Sequence, residues 1–356
     1  MKVEELPDDL IYQVCSLVLN KKRTGNEIER WLHRKGYKTA NRQSANQILR
    51  SAYDRGIIQL PVREDFELAA RLSTKSGAQC RVSPVNDNDP RAFEILAELA
   101  ANQVMDLIPQ IQANAKNVEP GRNEIHIGLA AGGTSRALAS QLARKLKEAR
   151  GLPEIWLHTL TSAFFNDYPD SAPVVSLGLF RDIKPTPKYV VLHSVPVVSA
   201  QEEKALRKNP FIREAFEMAR EIDIVVTSVS VANHSHSLFQ LAIQKENPTL
   251  ARARIDDLLK NKEWAGDILL QPFSSQGRPI DCDVHAVSVV GFNDLVRLAN
   301  APDKHVVCIA GLCTVCKEPK PEAIVALMRS PSARRPFSHL VTTRSTAQEI
   351  CKEFGW

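Results

Sequence analysis

Residues 124–138, Glu-Ile-His-Ile-Gly-Leu-Ala-Ala-Gly-Gly-Thr-Ser-Arg-Ala-Leu, hold the most concentrated candidate chemistry of the chain. Ile125 and Ile127 alternate into Gly128, and small residues then carry the chain to Gly132, Gly133, Thr134 and Ser135. Leucines at 138, 142 and 146 follow, four apart. That order predicts a strand, a glycine-rich turn and a helix. Glycine admits backbone angles closed to other residues and lets a ligand approach the main chain. The first N–H groups of a helix have no internal partner and lie at the positive end of its dipole. With the Thr134 and Ser135 hydroxyls at the mouth, phosphate is the natural occupant. A tight turn that binds nothing suits the same residues equally, and neither glycine pattern of the common nucleotide sites is present.

Two further groups could do chemistry. Cys313 and Cys316 form a C-x-x-C with Cys308 close before it, but no second pair follows locally, and His339 and Cys351 are distant singles. A structural zinc site wants such a partner at fixed spacing, so reduced, buried cysteines are expected, with no metal and no cofactor. His234 and His236 stand in the polar run after Val231, where general acid–base work would need a group of tunable pKa. The run holds no acid, so these read as surface histidines and the chain as a non-enzyme.

The elements that position such groups follow from pattern. In 356 residues, 44% apolar and 24% charged, there is room for two domains of ordinary globular composition. No apolar run approaches the roughly 20 residues of a membrane span. The first residues, Met-Lys-Val-Glu-Glu-Leu-Pro-Asp-Asp, lack the regions of a signal peptide. Seven scattered cysteines suit a reducing compartment. A cytoplasmic protein without membrane attachment is expected.

The net charge is +5, and residues 1–62 hold 11 Lys/Arg against 7 Asp/Glu, so +4 of it lies there. Such a concentration points to a polyanion partner. Ile11, Val14, Cys15 and Val18 predict a helix over about 8–20. Thr24 and Glu27 form a capping-box pattern before Ile28, Trp31 and Leu32, and Gly36 closes that second helix. A third begins near Asn41, with Ala45, Ile48, Leu49 and Ala52 on one face and Gln43, Asn46, Gln47 and Arg50 on the other. Residues 57–60 read as a short strand. Three helices with an amide- and Arg-rich outer face predict a helix-turn-helix, winged because its turn is long. Asn and Gln can pair with adenine edges and Arg with guanine. Arg42 flanks the reading helix, and Lys21, Lys22, Arg23, Arg34, Lys35 and Lys38 would hold phosphates. A basic interaction module acting on a protein partner remains the rival reading.

Residues 63–90, ending in the polar run Ser83–Pro90, read as a linker to a large domain over 91–356. A helix over about 91–108 opens it. Short apolar runs at 154–160, 189–193, 223–229 and 304–310 alternate with helical patterns, which predicts a mainly parallel sheet covered on both faces. Ligands in such sheets bind at the carboxyl ends of strands. The loops after Ile127, Leu160, Val229 and Ala310 are therefore candidate walls.

Four stretches in order give a resemblance: 127–134; Pro196 through Asp223 to Val226; Gly266 through Pro279; and Val307–Gly311 with Lys320–Leu327 and Leu340–Ala347. Over roughly residues 8–350 the chain resembles SorC-type (DeoR-like) sugar-binding bacterial transcriptional regulators. The resemblance implies a sugar-phosphate isomerase-like α/β effector domain and a phosphorylated sugar effector. It also implies operator DNA as a partner and a homo-oligomer, dimer or tetramer. Gly128, Gly132, Gly133, Thr134 and Ser135 would form the phosphate loop, Lys320 would neutralise the phosphate, and Asp267 would accept from sugar hydroxyls. A sugar-phosphate isomerase-like enzyme is a further alternative. Thr343-Arg344 replaces the family's Asp-Glu, Leu312 replaces a glycine, and the loop 313–319 is longer. These departures leave two outcomes open: an altered effector, or a site without its usual ligand.

Overall fold

The computed structural model describes residues 3–19, 21–55, 57, 64–118, 121–232, 234 and 237–356. It divides into two compact units, 1–62 and 63–356. In the first, helices α1 (Asp8–Leu19), α2 (Gly25–Arg34) and α3 (Ser44–Asp54) close around Ile11, Val14, Ile28, Leu32, Ile48 and Ala52. Each of these was expected on an inner face. The capping box is formed: Thr24 N donates to Glu27 Oε2 at 2.8 Å, and Glu27 N to Thr24 Oγ1 at 3.4 Å. The Thr24 amide and the Arg23 guanidinium pull the Glu27 carboxyl down to about 2. The turn into α3 is long but closed on itself, with Tyr37 N on Leu32 O and the His33 ring against Ala40 O at 2.7 Å. Asn41 Oδ1 then accepts from Gln43 N and Ser44 N and starts α3. Most of the expected strand over 57–60, and with it the wing, lies outside the described residues.

The second unit is α/β. Its strands are β1 (Gln79–Val82), β2 (Glu124–Leu129), β3 (Glu154–Thr159), β4 (Lys188–Val190), β5 (Val197–Val198), β6 (Ile224–Val231), β7 (Trp264–Ile268), β8 (Gln271–Ser274), β9 (His285–Ala286), β10 (His305–Ala310) and β11 (His339–Thr342). The main sheet runs β1-β11-β10-β6-β2-β3-β4, parallel throughout, while β7 and β8 continue antiparallel from β6. β5 and β9 form a separate antiparallel pair. Central strands are buried on both faces, as near-continuous Val and Ile require.

The linker expected over 63–90 is a correction. Helix α4 (Phe66–Ser76) and β1 lie in this stretch, and β1 is the edge strand beside β11. Four residues of which only Cys80 and Val82, on one side, are buried are too short a pattern to stand out beside the polar run that follows. Asp65 caps α4 through Leu68 N and is paired with Arg344, which holds the start of the segment, while β1 on β11 holds the other end. Helix α5 (Ala92–Val118) also runs ten residues past the expected end at 108, with Pro109 inside it. It packs on α6 (Gly133–Glu148), the helix predicted by the leucines at 138, 142 and 146.

At the amino ends of the central strands, buried Asp223 accepts from Arg122 Nη2, Lys304 Nζ and His126 N, all at 2.9 Å. One carboxylate thereby ties β2, β6 and β10. Removing one member of a buried pair is costly because the rest stay desolvated. Asp223→Ala is expected to lower the stability of this unit by about 3 kcal/mol, read from the urea midpoint. A loss below about 1 kcal/mol would mean that the two cations behave as surface groups and rehydrate freely.

Candidate functional site

Three strand ends meet above the sheet. β2 ends at Leu129, and three residues later Gly132 turns the chain into α6 at φ +112°, a region that favours glycine. Its N–H donates to Ser171 O at 2.8 Å. A side chain on Gly133 would come within 2.6 Å of Thr314 Oγ1, so the loop after β10 closes directly over this turn. Gly132 has no side chain to cap α6, so the first-turn N–H groups have no capping side chain there. β6 ends beside β7, with Ser230 opposite Asp267.

Between them is a cavity of about 100 Å³, several times what one water needs. Gly132, Gly133, Thr134, Asp267 and Lys320 all line it, together with Tyr168, Ser171, Ser228, Ser230, His234, Ser237, Cys313 and Thr314. All four strand-end loops expected as walls contribute. Five of the seven effector residues singled out in the sequence, spread over 189 positions, thus converge. Gly128 and Ser135 do not line the cavity. A Cβ on Gly128 would lie 2.5 Å from Leu160 Cδ2, so its smallness serves packing between strands. Ser135 is buried in the first turn of α6 with its hydroxyl unpartnered among the described residues.

The charges are unusual. Lys320 is 9% exposed, and its ammonium donates one hydrogen bond among the described residues, to Val229 O at 2.9 Å. An ammonium has three protons, so capacity for a ligand remains. Burial pulls its pKa down, opposed by the nearby thiols and Asp267. Asp267, 5% exposed, accepts from Ser237 Oγ at 2.9 Å and from Ser230 Oγ. Burial pushes its carboxyl up against those two hydroxyls and the attraction of Lys320. The sequence reading missed both serines. Ser237 carried a usable signal, since it precedes a helix (Leu238–Glu246) and caps it through Gln240 N.

His234 is not a surface histidine. It is half-buried, with Nδ1 at 3.9 Å from Cys316 Sγ. His236 lies outside the described residues. Thr343, Arg344 and Leu312, the departures from the family pattern, are absent from the cavity lining. In the first unit, Lys38, Arg42, Gln43, Asn46, Gln47 and Arg50 are all exposed, on α3 and the turn before it. Arg23, by contrast, is held by Glu27 at 2.6 Å.

Residues 186–352 match the family model described as "Putative sugar-binding domain". No curated protein matches the chain. Among solved structures, the full-length sorbitol operon regulator SorC from Klebsiella pneumoniae is similar with a TM-score of 0.66 at 16% identity, over 96% of this chain and 98% of that one. A transcriptional regulator from Streptococcus pneumoniae TIGR4 gives 0.62 at 14% identity, over 82% and 98%. A DeoR family transcriptional regulator from Listeria monocytogenes gives 0.55 at 18% identity, over 80% and 98%. Residues 186–352 of the α/β unit are therefore similar to that family's domain, and the fold is similar to that of these regulators. The SorC-type resemblance in the sequence is met by that domain and by the fold of SorC- and DeoR-type regulators. Among the described residues, no helix is long and apolar enough to cross a membrane.

A carboxyl whose folded pKa lies above its unfolded value costs stability as the pH rises through the carboxylate range. Asp267→Asn is therefore expected to raise the thermal midpoint by a few degrees at neutral pH, the two proteins converging in acid. A lower midpoint at neutral pH would mean that Lys320 and the two serines more than offset burial.

Proposed function

We propose that the chain is a cytoplasmic, DNA-binding transcriptional regulator of SorC type whose DNA affinity changes when a phosphorylated sugar enters the cavity. The observation that carries this reading is the convergence of a glycine turn opening a helix, a buried lysine and a buried aspartate on one cavity at the strand ends. The turn and Lys320 supply donors and positive charge for a phosphate. Asp267 supplies an acceptor for sugar hydroxyls. Its carboxylate is tied by two serines rather than freed for proton transfer, and we assign the chain no catalytic step. The exposed amides and Arg50 on α3 suit base edges, and Lys38 and Arg42 suit phosphates. The fold is similar to that of solved transcriptional regulators. A dimer or tetramer would pair two reading helices, and the effector can act only through its different affinity for two arrangements of them.

A thermal-shift series with phosphorylated and unphosphorylated sugars tests the cavity. At a hundred times its Kd, a ligand of the folded state alone adds about 2.7 kcal/mol. The shift is expected with phosphorylated compounds only and is expected to vanish in Lys320→Ala. A phosphorylated hit that survives Lys320→Ala would overturn the site, and no hit would overturn the effector. For DNA, Arg50→Ala is expected to cost about 1–3 kcal/mol on an operator and little on random sequence. Equal loss on both would make Arg50 a phosphate clamp. Binding without steep salt dependence would favour a protein partner for this unit.

A further inference from the structure

The loop after β10 carries Cys313 and Cys316, and the chain after β6 brings His234 to them from 82 residues before Cys316. One ligand atom from each of the three lies within 4.8 Å of the others. Tetrahedral zinc bound by two thiolates and an imidazole would hold the same atoms about 3.5–3.8 Å apart, which small side-chain rotations supply. Neither the glycine turn nor Asp267 takes part in this cluster.

We propose that Cys313, Cys316 and His234 form a Cys2His site for a borderline-soft divalent cation of the zinc class, with a fourth position open to the cavity. Three features favour a metal over an ordinary thiol pair. First, the loop is folded as a knuckle. Val315 N donates to Cys313 Sγ at 3.4 Å, Cys313 N to Glu318 O at 2.8 Å, and Lys317 N to Cys313 O at 3.0 Å. An amide directed at a sulfur stabilises its thiolate. Lys317 holds φ +61°, a left-handed conformation that disfavours a side-chain-bearing residue and is kept only where the surroundings enforce it. Second, His234 has the outer partner of a metal ligand. While Nδ1 faces Cys316, Nε2 lies 3.5 Å from Glu318 Oε2, the carboxylate–histidine arrangement that fixes a ligating ring. Third, the charges balance: two thiolates and a divalent ion sum to zero beside the buried ammonium of Lys320. Binding releases the two thiol protons to solvent. His234 and Cys313 also line the cavity, so a water or a ligand oxygen there can complete the tetrahedron.

The inference is independent of the effector reading, since it needs only these side chains. The full-length protein, reduced and stripped with chelator, is titrated with Co²⁺ as a spectroscopic probe and then with Zn²⁺. Expected is one Co²⁺ per chain, with sulfur-to-cobalt charge-transfer absorption and tetrahedral d–d bands, both abolished by Zn²⁺. Cys316→Ser removes about half of the charge-transfer band at saturating Co²⁺, one of two thiolates being lost, and weakens binding. His234→Ala and the exposed-site change Glu318→Gln, which spares the fold, each weaken binding about 10–100-fold. Cobalt bound without thiolate absorption would overturn the site. So would affinity and spectra left unchanged in Cys316→Ser and His234→Ala, or a reduced protein that binds no metal.

Discussion

The site depends on what happens along a single strand. Over Ile224–Ser228, β6 is a parallel strand pinned to β10, and over Ile224–Val226 also to β2. Over its last three residues it pairs antiparallel with β7 instead. One edge of a strand cannot serve two neighbours at one point, because each edge has one row of donors and acceptors. Where β2 leaves β6, its chain is free to rise into the Gly132 turn, and β7 crosses in front of the strand end. That exchange of partners sets Ser230 beside Asp267 and leaves Val229 O to receive Lys320. Asp223 holds the opposite end of the same strand, so the switch point is fixed in register with β2 and β10.

The energetics of the cavity run against stability. A buried ammonium and a buried carboxylate, each shifted by burial toward its neutral form, are tolerable only because hydroxyls, a carbonyl and mutual attraction partly replace water. A leucine or a methionine at 320 would pack more cheaply. Groups kept at such a cost are explained by something that uses them, and an anion rich in hydroxyls would complement both at once. Desolvation is then already spent in the free protein, so a ligand with matching charge gains in full from each contact.

Much of this was legible in the sequence because it rests on local patterns. The capping box at Thr24, the inner faces of α1 to α3, the strand–turn–helix at 124–148 and the apolar central strands all have periods that survive without tertiary information. What was not legible depends on distance. β1 is an edge strand only because β11, 260 residues later, offers it a partner. His234 resembles a surface residue until the loop after β10 folds against it, and Gly128 resembles a ligand glycine until Leu160 occupies its missing side chain. The serines around Asp267 carry no pattern beyond a helix cap, since a hydroxyl serves any acceptor that the topology brings.

The departures from the family pattern now separate by position. Arg344 pairs with Asp65, which also caps α4, so an acidic position has become a strap between the last helix and the first element of the α/β unit. Thr343 caps the helix that follows it, and Leu312 is buried. None of the three faces the cavity. The lengthened loop 313–319 does: it places Thr314 against Gly133, Cys313 on the wall, and Lys320 at the helix start that it leads into. A change of ligand preference in this chain would therefore come through that loop, by closing the glycine turn more tightly and by setting sulfur where the cavity would otherwise be lined by carbon and oxygen.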